Sequence, residues 1–341
     1  MLVRFVDLFA GIGGIRLGVE LASQKHFLNT SCVLTCEIDK HAQQTYRANF
    51  GNEEIHPDVM LLDATALPEF DLLLAGFPCQ PFSQAGLKLG FNDTRGTLFF
   101  DIERILKEKR PQAFLLENVK QLKGHDKGRT LRVILQSLEA LGYTVYVDVL
   151  NAKEFGIPQN RERIFIVGFL NPSQPFQFPS PLQQQTVVGS ILQSPQELDE
   201  KYTLSDNLWA GHQRRKAMHK LKGNGFGYSL FTPCSSYTST ISARYYKDGS
   251  EILIEQTNKN PRKLTPREAA RLQGFPESFV IPVSDTQAYR QFGNSVTVPV
   301  VQAIVEQMLK VMTSSKHLCL TYPHGNSYDR FVTEEAMPST A

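Results

Sequence analysis

The sequence lacks paired cysteines. Its 341 residues contain five cysteines, an odd and scattered set with no C-x-x-C pair. This pattern argues against both a disulfide framework and a structural zinc site. We therefore expect a protein of the reducing cytoplasm that binds no metal.

A marked excess of one charge is also missing. The formal net charge is only +2, so any interpretation involving a polyanionic partner must depend on local clustering of basic residues. The amino-terminal segment carries Arg4, Asp7, Arg16 and Glu20, which break the pattern of a signal peptide or a membrane span. The hydrophobic content of 41% is ample for a core. We expect a soluble, globular protein with no membrane partner.

A strand, a glycine-rich loop and a helix open the chain. The run Val3–Phe9 predicts a buried strand, and Gly11, Gly13 and Gly14 turn it into a helix. Such a loop lets a ligand approach the backbone closely, and the helix N-terminus offers free N–H groups. Arg16 stands where the third glycine of a dinucleotide fingerprint would be, so a nicotinamide oxidoreductase is a remote alternative.

Carboxylates follow the next two predicted strands. Strand Cys32–Cys36 ends at Glu37, where a carboxylate can accept hydrogen bonds from ribose hydroxyls; a solvated surface charge is the plainer alternative. Asp39 is expected to cap the following helix. A third short strand is predicted near Val59, and it leads to Asp63, which we expect at the adenine end of the same ligand.

Cys79 lies in a loop framed by proline and glycine, residues 76–86, after a buried apolar strand. Pro78 and Pro81 fix φ on either side of the thiol. Taken alone, a single cysteine is more often inert packing than a nucleophile. However, the next predicted strand, Gln112–Leu116, brings Glu117 to the same edge of the sheet, so a thiol and a carboxylate meet there.

Later segments add arginines and a final helix. Arg161 and Arg163 precede a predicted strand, and salt bridging and anion binding are comparable interpretations of them. A capping box at 265–268 starts one helix. A last helix carries an apolar stripe from Val301 to Met312 and should pack back onto the sheet, followed by a mobile tail after about residue 313.

A second domain is predicted after a connector, residues 171–196, that is rich in Pro, Gln and Ser. It holds the basic run 212–222 and then a loop, 223–228, that interleaves glycine with aromatic residues. This pairing suits phosphate contacts beside stacking contacts, although a solvated basic helix face is the simpler alternative. Residues 239–246 and 252–254 are predicted strands of the same domain.

Six motifs stand in a fixed order along the chain. They are FAGIGG at 9–14, GFPCQPFS at 76–83, ENV at 117–119, QNRER at 159–163, REAARLQGFP at 267–276 and QFGNS at 291–295. Together they resemble the DNA (cytosine-5) methyltransferase family, over roughly residues 3–170 and 262–310. The resemblance implies an α/β, Rossmann-like, S-adenosylmethionine-dependent methyltransferase fold with a small, mostly β target-recognition domain.

The resemblance also implies boundaries and partners. Residues 1–185 and 286–341 would form the catalytic domain, and residues 186–285 the target-recognition domain with its hinge. The expected substrate is double-stranded DNA, and the expected state is a monomer. Residues 223–254, which we call the recognition segment, look like those of relatives that read sites beginning with CC, such as CCGG or CCWGG.

The family's residue roles can be carried over position by position. Cys79 would add to C6 of a flipped cytosine, Glu117 would steady N3 with a carboxyl group of raised pKa, and Arg161 and Arg163 would orient the base. The implied S-adenosylmethionine contacts are Phe9, Gly11, Gly13, Glu37, Ile38, Asp63, Pro78, Leu98 and Asn294. The expected DNA contacts are Gln80, Ser83, Arg95, Arg214, Arg215, Phe226, Thr240 and Arg244.

The sequence thus predicts a sequence-specific methyltransferase, the modification half of a bacterial restriction system. A tRNA cytosine-5 methyltransferase is one alternative, although relatives of that kind have a shorter recognition segment and a Cys-Phe-Thr element absent here. A DNA-binding relative without activity is another. The presence of Cys79, Glu117, Arg161 and Arg163 argues against it, because an inactive protein has no physical need for all four.

Overall fold

The structure is a computed structural model that describes residues 2–51, 54–78 and 98–320, with side chains as far as Ser314. A seven-stranded sheet forms its centre, in the order β3-β2-β1-β4-β5-β7-β6. Its strands are β1 (Leu2–Leu8), β2 (Asn29–Cys36), β3 (Ile55–His56), β4 (Leu72–Gly76), β5 (Ala113–Val119), β6 (Tyr143–Asn151) and β7 (Glu162–Leu170). Strand β7 pairs antiparallel with both of its neighbours, whereas the pairs among β1 to β5 are parallel.

Helices cover both faces of this sheet. The described helices are α1 (Gly14–Lys25), α2 (Lys40–Phe50), α3 (Phe99–Lys109), α4 (Arg129–Ala140), α5 (Asp206–Leu221), α6 (Pro266–Leu272), α7 (Asp285–Asn294) and α8 (Val298–Leu320). Alternate residues of one strand enter opposite cores: Val3 and Phe5 pack with α1 and α8, and Val6 packs with α3. Burial on both faces explains why these strands are continuous apolar runs.

The apolar stripe of α8 lies in the core, as its sequence predicts. By length and composition the stretch Asp285–Ser314 could cross a membrane, but 61% of its most apolar window is buried inside the fold. Val301, Ile304 and Val305 are fully buried against α1 and the sheet. Packing inside the fold therefore accounts for the apolar composition of this helix. The helix also continues to Leu320, beyond the point at which we expected a mobile tail to begin.

The chain after β7 is more irregular than its sequence indicates. A three-stranded sheet is built from β8 (Leu230–Phe231), β9 (Leu253–Gln256) and β10 (Lys259–Arg262). The predicted strand at 252–254 corresponds to β9, but the one at 239–246 is wrong, since this stretch forms turns. Its side chains serve tertiary contacts instead; Tyr245, for example, is fully buried and its hydroxyl donates to the carbonyl of Ile252. The boundaries at 185 and 285 remain predictions.

A buried ion pair fastens this small sheet to the helix after it. The guanidinium of Arg262, on β10, donates to both carboxylate oxygens of Glu268, on α6, at 2.7 and 2.8 Å. Glu268 is fully buried and also accepts hydrogen bonds from the backbone N–H groups of Gln193 and Thr265, both at 2.9 Å. The capping box predicted at Thr265 is present and uses this same carboxylate. One side chain thus joins the connector, the small sheet and α6.

Replacing Glu268 by alanine should leave the Arg262 charge buried and unpaired, so we expect the free energy of unfolding to fall by about 3–5 kcal/mol. The matched control is Glu277→Ala, which removes the 63% exposed partner of Arg271. That change should cost only about 0–1 kcal/mol. Urea denaturation of the three proteins measures both effects, and equal small losses would contradict the role assigned to the buried pair.

Candidate active site

A cavity of about 870 Å³ opens at the carboxyl ends of the parallel strands. Its walls come from the glycine loop after β1, the end of β2, residues 57–60, the ends of β4 and β5, Arg163, and the carboxyl end of α7. The cavity lies where strand order reverses, because β1 is flanked by β2 on one side and β4 on the other. Connections leave this point in opposite directions, which opens the crevice in which doubly wound sheets bind ligands.

Glu37 is held in this cavity by backbone groups. Its two carboxylate oxygens accept hydrogen bonds from the N–H groups of Gly11 and Asp39, each at 2.7 Å. Burial raises the pKa of Glu37, and those two N–H donors oppose the rise. Asp39 caps α2 as predicted, accepting from the N–H groups of His41 and Ala42. The carboxylate is therefore fixed in orientation and retains lone pairs for a ligand's hydroxyl groups.

Glu117 and Arg163 form a second polar centre in the same cavity. The Nε of Arg163 lies 3.1 Å from Oε1 of Glu117, and both side chains are largely buried. Burial raises the pKa of Glu117, against the opposing charges of Arg163 and Arg161, and burial lowers the pKa of Arg163. The carboxyl group is therefore easier to protonate than a free glutamate, as the sequence analysis expected of this position.

The strand pairing places the start of the 76–86 loop beside this carboxyl group. Gly76 of β4 is directly opposite Glu117 of β5. One residue further on, the amide of Asn118 donates a 2.9 Å hydrogen bond to the carbonyl of Phe77. The backbone is therefore anchored just before Pro78. Cys79, Gln80, Ser83 and Arg95 lie outside the described residues.

Most of the residues assigned to the cofactor line this one cavity. They are Phe9, Gly11, Glu37, Ile38, Pro78, Leu98 and Asn294. Gly13 does not line it: its φ is +83°, and a Cβ there would overlap the ring of Phe50, so glycine is required by the turn and by packing.

Asp63 is also absent from the cavity lining, contrary to the expectation that it meets an adenine. Its carboxylate accepts hydrogen bonds from the backbone N–H and the hydroxyl of Thr65. Asp58 lines the cavity in its place. The error began with the third strand, which is Ile55–His56, whereas Val59 starts a 3-10 turn capped by Asp58. Because the strand was predicted a few residues too late in the sequence, Asp63 rather than Asp58 was taken as the carboxylate that follows it.

Arg161, which the resemblance assigns to orienting the base, is not among the residues that line the cavity. It is 2% exposed, and its guanidinium donates to three carbonyls, those of Ile241, Gly293 and Ser295, at 3.0, 3.0 and 2.6 Å. Two of these acceptors lie at the carboxyl end of α7, where carbonyls lack intrahelical partners. Arg161 therefore ties elements together behind the cavity.

The cavity also has residues that the sequence analysis missed. Gln287 and Arg290 contribute to its wall from α7. The guanidinium of Arg290 lies 5.9 Å from the ring centroid of Tyr246, so this residue stands between the cavity and the recognition segment. Helix α7 itself was not predicted, although Ser284 at its N-cap position and Asp285 in its first turn are ordinary start signals.

The residues expected to contact DNA have different settings. Arg214 and Arg244 are exposed, whereas Arg215 pairs with Asp248 at 3.0 Å. Phe226 is 71% exposed and its ring packs edge-on against His219. The hydroxyl of Thr240 donates to the carbonyl of Asn160, which is part of the QNRER motif.

The glycine loop is supported from below by a buried polar network. Asp7, on β1, is fully buried and accepts a hydrogen bond from the hydroxyl of Tyr46 at 3.3 Å. Arg16 donates to the same hydroxyl and to Glu20, and its guanidinium lies 4.4 Å from the ring centroid of Phe50. The position where a dinucleotide fingerprint requires glycine is thus occupied by a packed arginine. Burial raises the pKa of Asp7 from 3.8 to about 7.

Solved structures share this architecture. The crystal structure of the S. pombe Dnmt2 methyltransferase has a TM-score of 0.74 and 24% sequence identity to this chain, and the match covers 90% of this chain and 98% of that one. At this identity the likeness establishes the fold, which is that of the S-adenosylmethionine-dependent methyltransferases, as predicted.

The chain belongs to the C-5 cytosine-specific DNA methylase family, whose model matches residues 3–310. It is 66% identical over 311 residues to the Type II methyltransferase M.NlaX of Neisseria lactamica, covering 91% of this chain and 97% of that relative. It is 62% identical over 317 residues to the Type II methyltransferase M1.ScrFI of Lactococcus lactis subsp. cremoris, covering 92% and 79%. The predicted family and activity, a sequence-specific DNA (cytosine-5) methyltransferase, are confirmed. Membership implies DNA as substrate and the use of S-adenosylmethionine.

The pKa of Asp7 makes a prediction about stability. Because the folded-state pKa is raised from 3.8 to about 7, the folded protein holds a proton that the unfolded chain loses. The contribution of Asp7 to the free energy of unfolding is fully present below pH 3.8 and is lost as the pH rises to about 7. The total loss is about 4 kcal/mol.

Asp7→Asn should therefore gain stability relative to the wild type between about pH 4 and pH 8. Urea denaturation across that range measures the difference between the two proteins. Asp148→Asn, the same substitution at an exposed position outside this network, serves as the control. A flat difference for Asp7→Asn would show that Asp7 is ionised in the fold.

Proposed function

We propose that this methyltransferase is the modification enzyme of a type II restriction system and that it methylates one short DNA sequence through a covalent adduct on Cys79. The observation that carries this proposal is the largely buried pair of Glu117 on β5 and Arg163 on β7, with Glu117 directly opposite Gly76 of β4, the strand that leads into Cys79. Relatives at 66% and 62% identity bear the name Type II methyltransferase.

The residues of the cavity fit S-adenosylmethionine. Glu37 presents a fixed carboxylate to ribose hydroxyls, and Ile38, 71% exposed, offers an apolar face to an adenine ring. Phe9, Gly11, Pro78, Leu98 and Asn294 complete the expected contacts, and Asp58 takes the place first given to Asp63. When bound, S-adenosylmethionine supplies the electrophilic methyl group.

The chain's own groups must make C5 of cytosine nucleophilic. The Cys79 thiolate adds to C6, forming an S–C6 bond, and the displaced electron pair moves toward C5 and N3. Glu117 donates a proton or a strong hydrogen bond to N3; burial raises its pKa, which makes the carboxyl group easier to protonate for this role. Arg163 holds that carboxyl group in place. After the transfer, a base or a water chain takes the C5 proton, the S–C6 bond breaks, and Cys79 leaves as a thiolate, which restores the aromatic ring.

C6 of cytosine is shielded in a base stack, so the target base must leave the duplex. Flipping costs a few kcal/mol, which contacts in the complex must offset. Phe226 is the candidate to fill the vacated space, since it is exposed and its ring is supported by His219. The exposed Arg214 and Arg244 are placed to contact phosphates, whereas Arg215 is already paired with Asp248.

The direct test is to incubate plasmid DNA with the purified protein and S-adenosylmethionine, and to locate 5-methylcytosine by bisulfite sequencing. We expect one short sequence context to be methylated. Cys79→Ser should lower the rate by about 10³-fold or more, because a hydroxyl is a far weaker nucleophile than a thiolate. Cys32→Ser, on β2 and outside the cavity lining, is the matched control and should be unaffected.

Two results would contradict the proposal. A normal rate for Cys79→Ser would remove the covalent mechanism. Incorporation of labelled methyl groups into tRNA and not into duplex DNA would show that the substrate is tRNA.

The choice between Asp58 and Asp63 gives a second test. Asp58→Ser keeps a residue able to cap the turn at Val59 but removes the carboxylate from the cavity. We expect KM for S-adenosylmethionine to rise about tenfold, the effect of one lost hydrogen bond to a charged group. Asp63→Ser should leave KM unchanged, since Asp63 lies outside the cavity lining. The opposite pattern would restore Asp63 as the ligand.

A further inference from the structure

A buried hydrogen-bonded junction joins the recognition segment to the wall of the cavity. Its centre is Arg161, whose Nη1 donates to the carbonyl of Ile241 in the recognition segment at 3.0 Å. The Nη2 of the same guanidinium donates to the carbonyls of Gly293 and Ser295. Asn294, the residue between these two acceptors, is exposed and lines the cavity. A single planar side chain therefore touches both parts of the enzyme.

Two glutamines repeat this bridge. The Oε1 of Gln159 accepts from the N–H of Ile241 at 3.0 Å, and its Nε2 donates to the carbonyl of Leu272 at 2.8 Å and to Oε1 of Gln273 at 3.2 Å. Gln273 in turn donates to the carbonyl of Phe292 at 2.6 Å. Both glutamines are fully buried, so each of these bonds is costly to leave unmade. Ile241 is thus fixed at its N–H and at its carbonyl.

Backbone packing closes the junction. A Cβ on Gly293 would overlap the carbonyl group of Ser242 and the N–H of Ala243. The two backbones can approach this closely only because residue 293 is glycine. A shift of the recognition segment at Ser242 must therefore move the end of α7, or be resisted by it, because packed contacts of this kind do not deform continuously.

We propose that Arg161 is a positioning residue that couples DNA binding to cofactor binding through this junction. The inference rests on the proposed function, in which the cavity holds S-adenosylmethionine and the recognition segment contacts DNA. A cofactor that restrains Asn294 restrains the carbonyls on either side of it, and these share the guanidinium with Ile241. The cofactor should therefore raise the affinity for DNA that orders residues 240–243. By linkage, that DNA must raise the affinity for the cofactor by the same factor.

The test measures that factor on the full chain. The dissociation constant of S-adenosylhomocysteine, which allows no turnover, is measured by calorimetry with and without a duplex carrying the context found by bisulfite sequencing. For the wild type we expect the DNA to tighten binding about fivefold or more. Arg161→Lys keeps the charge but cannot reach all three carbonyls, so its ratio should fall to within about twofold of unity.

The matched control is Arg262→Lys, which damages another buried arginine next to the recognition segment without touching the cavity wall. It should lose thermal stability but retain the wild-type ratio. A wild-type ratio of one, a wild-type ratio in Arg161→Lys, or an equal loss in Arg262→Lys would each overturn the inference. A wild type that binds neither ligand would instead refute the proposed function on which the inference rests.

Hydrogen exchange of the wild type supplies a measurement that does not depend on a variant folding. Adding S-adenosylhomocysteine without DNA should slow exchange in peptides covering residues 238–246. Peptides from β6 serve as the internal reference and should not change. Unchanged exchange at 238–246 while the cavity wall at 293–296 becomes protected would show that the junction does not transmit cofactor binding.

Discussion

The arrangement depends on the reversal of strand order at β1. Because β2 and β4 flank β1 in parallel, the loops after these strands leave in opposite directions and cannot fill the space above the sheet edge. The cavity is that space. Glu37 reaches it from β2, and the chain leading to Cys79 reaches it from β4. Glu117 follows from the next strand, so two chemically different ends are built into one crevice.

Three carboxyl groups near this edge, of which Asp7 and Glu117 are buried and Glu37 is partly exposed, show how environment separates roles. Burial raises the pKa of Asp7, Glu37 and Glu117 alike. For Glu37, two backbone N–H donors oppose the rise in pKa. They favour the carboxylate form, which the proposed contact with ribose requires. Glu117 faces an arginine rather than backbone donors, and burial leaves its carboxyl group easier to protonate, as the proposed reaction requires. Asp7 does not line the cavity, and its raised pKa affects the stability of the fold.

The sequence predicted what periodicity and strand ends determine. The apolar runs located β1, β2, β4 and β5, and parallel strands must present their ends together, so Glu37 and Glu117 were correctly brought to one edge. Asp63 was expected at this edge but does not line the cavity, because β3 has only two residues, too few for a period to register, and the strand was placed too late in the sequence. Residues 239–246 were predicted as a strand because Thr, Ile and Tyr are common in strands. The same residues can also be buried in turns, as they are here.

Arg161 shows a deeper limit of sequence reasoning. Its place in the QNRER motif, two residues from Arg163, suggested a shared role, but Arg161 lies outside the regular strand, and this explains why the two differ. Residues two apart point to the same face only within a regular strand, and Arg161 precedes β7, where the chain still follows an irregular path. Arg163 therefore reaches Glu117, whereas Arg161 turns to the carbonyls of α7 and Ile241.

That difference separates chemistry from recognition in this enzyme. In the proposed function, Arg163 holds the carboxyl group that meets the base, and Arg161 holds the frame in which base and cofactor meet. A guanidinium suits the second task because its donors lie in one rigid plane and can satisfy carbonyls from separate elements at once. The orphan carbonyls at the end of α7 need such a donor in any case. Meeting that need with a side chain that also holds Ile241 makes the position of the recognition segment depend on the same helix end that lines the cavity.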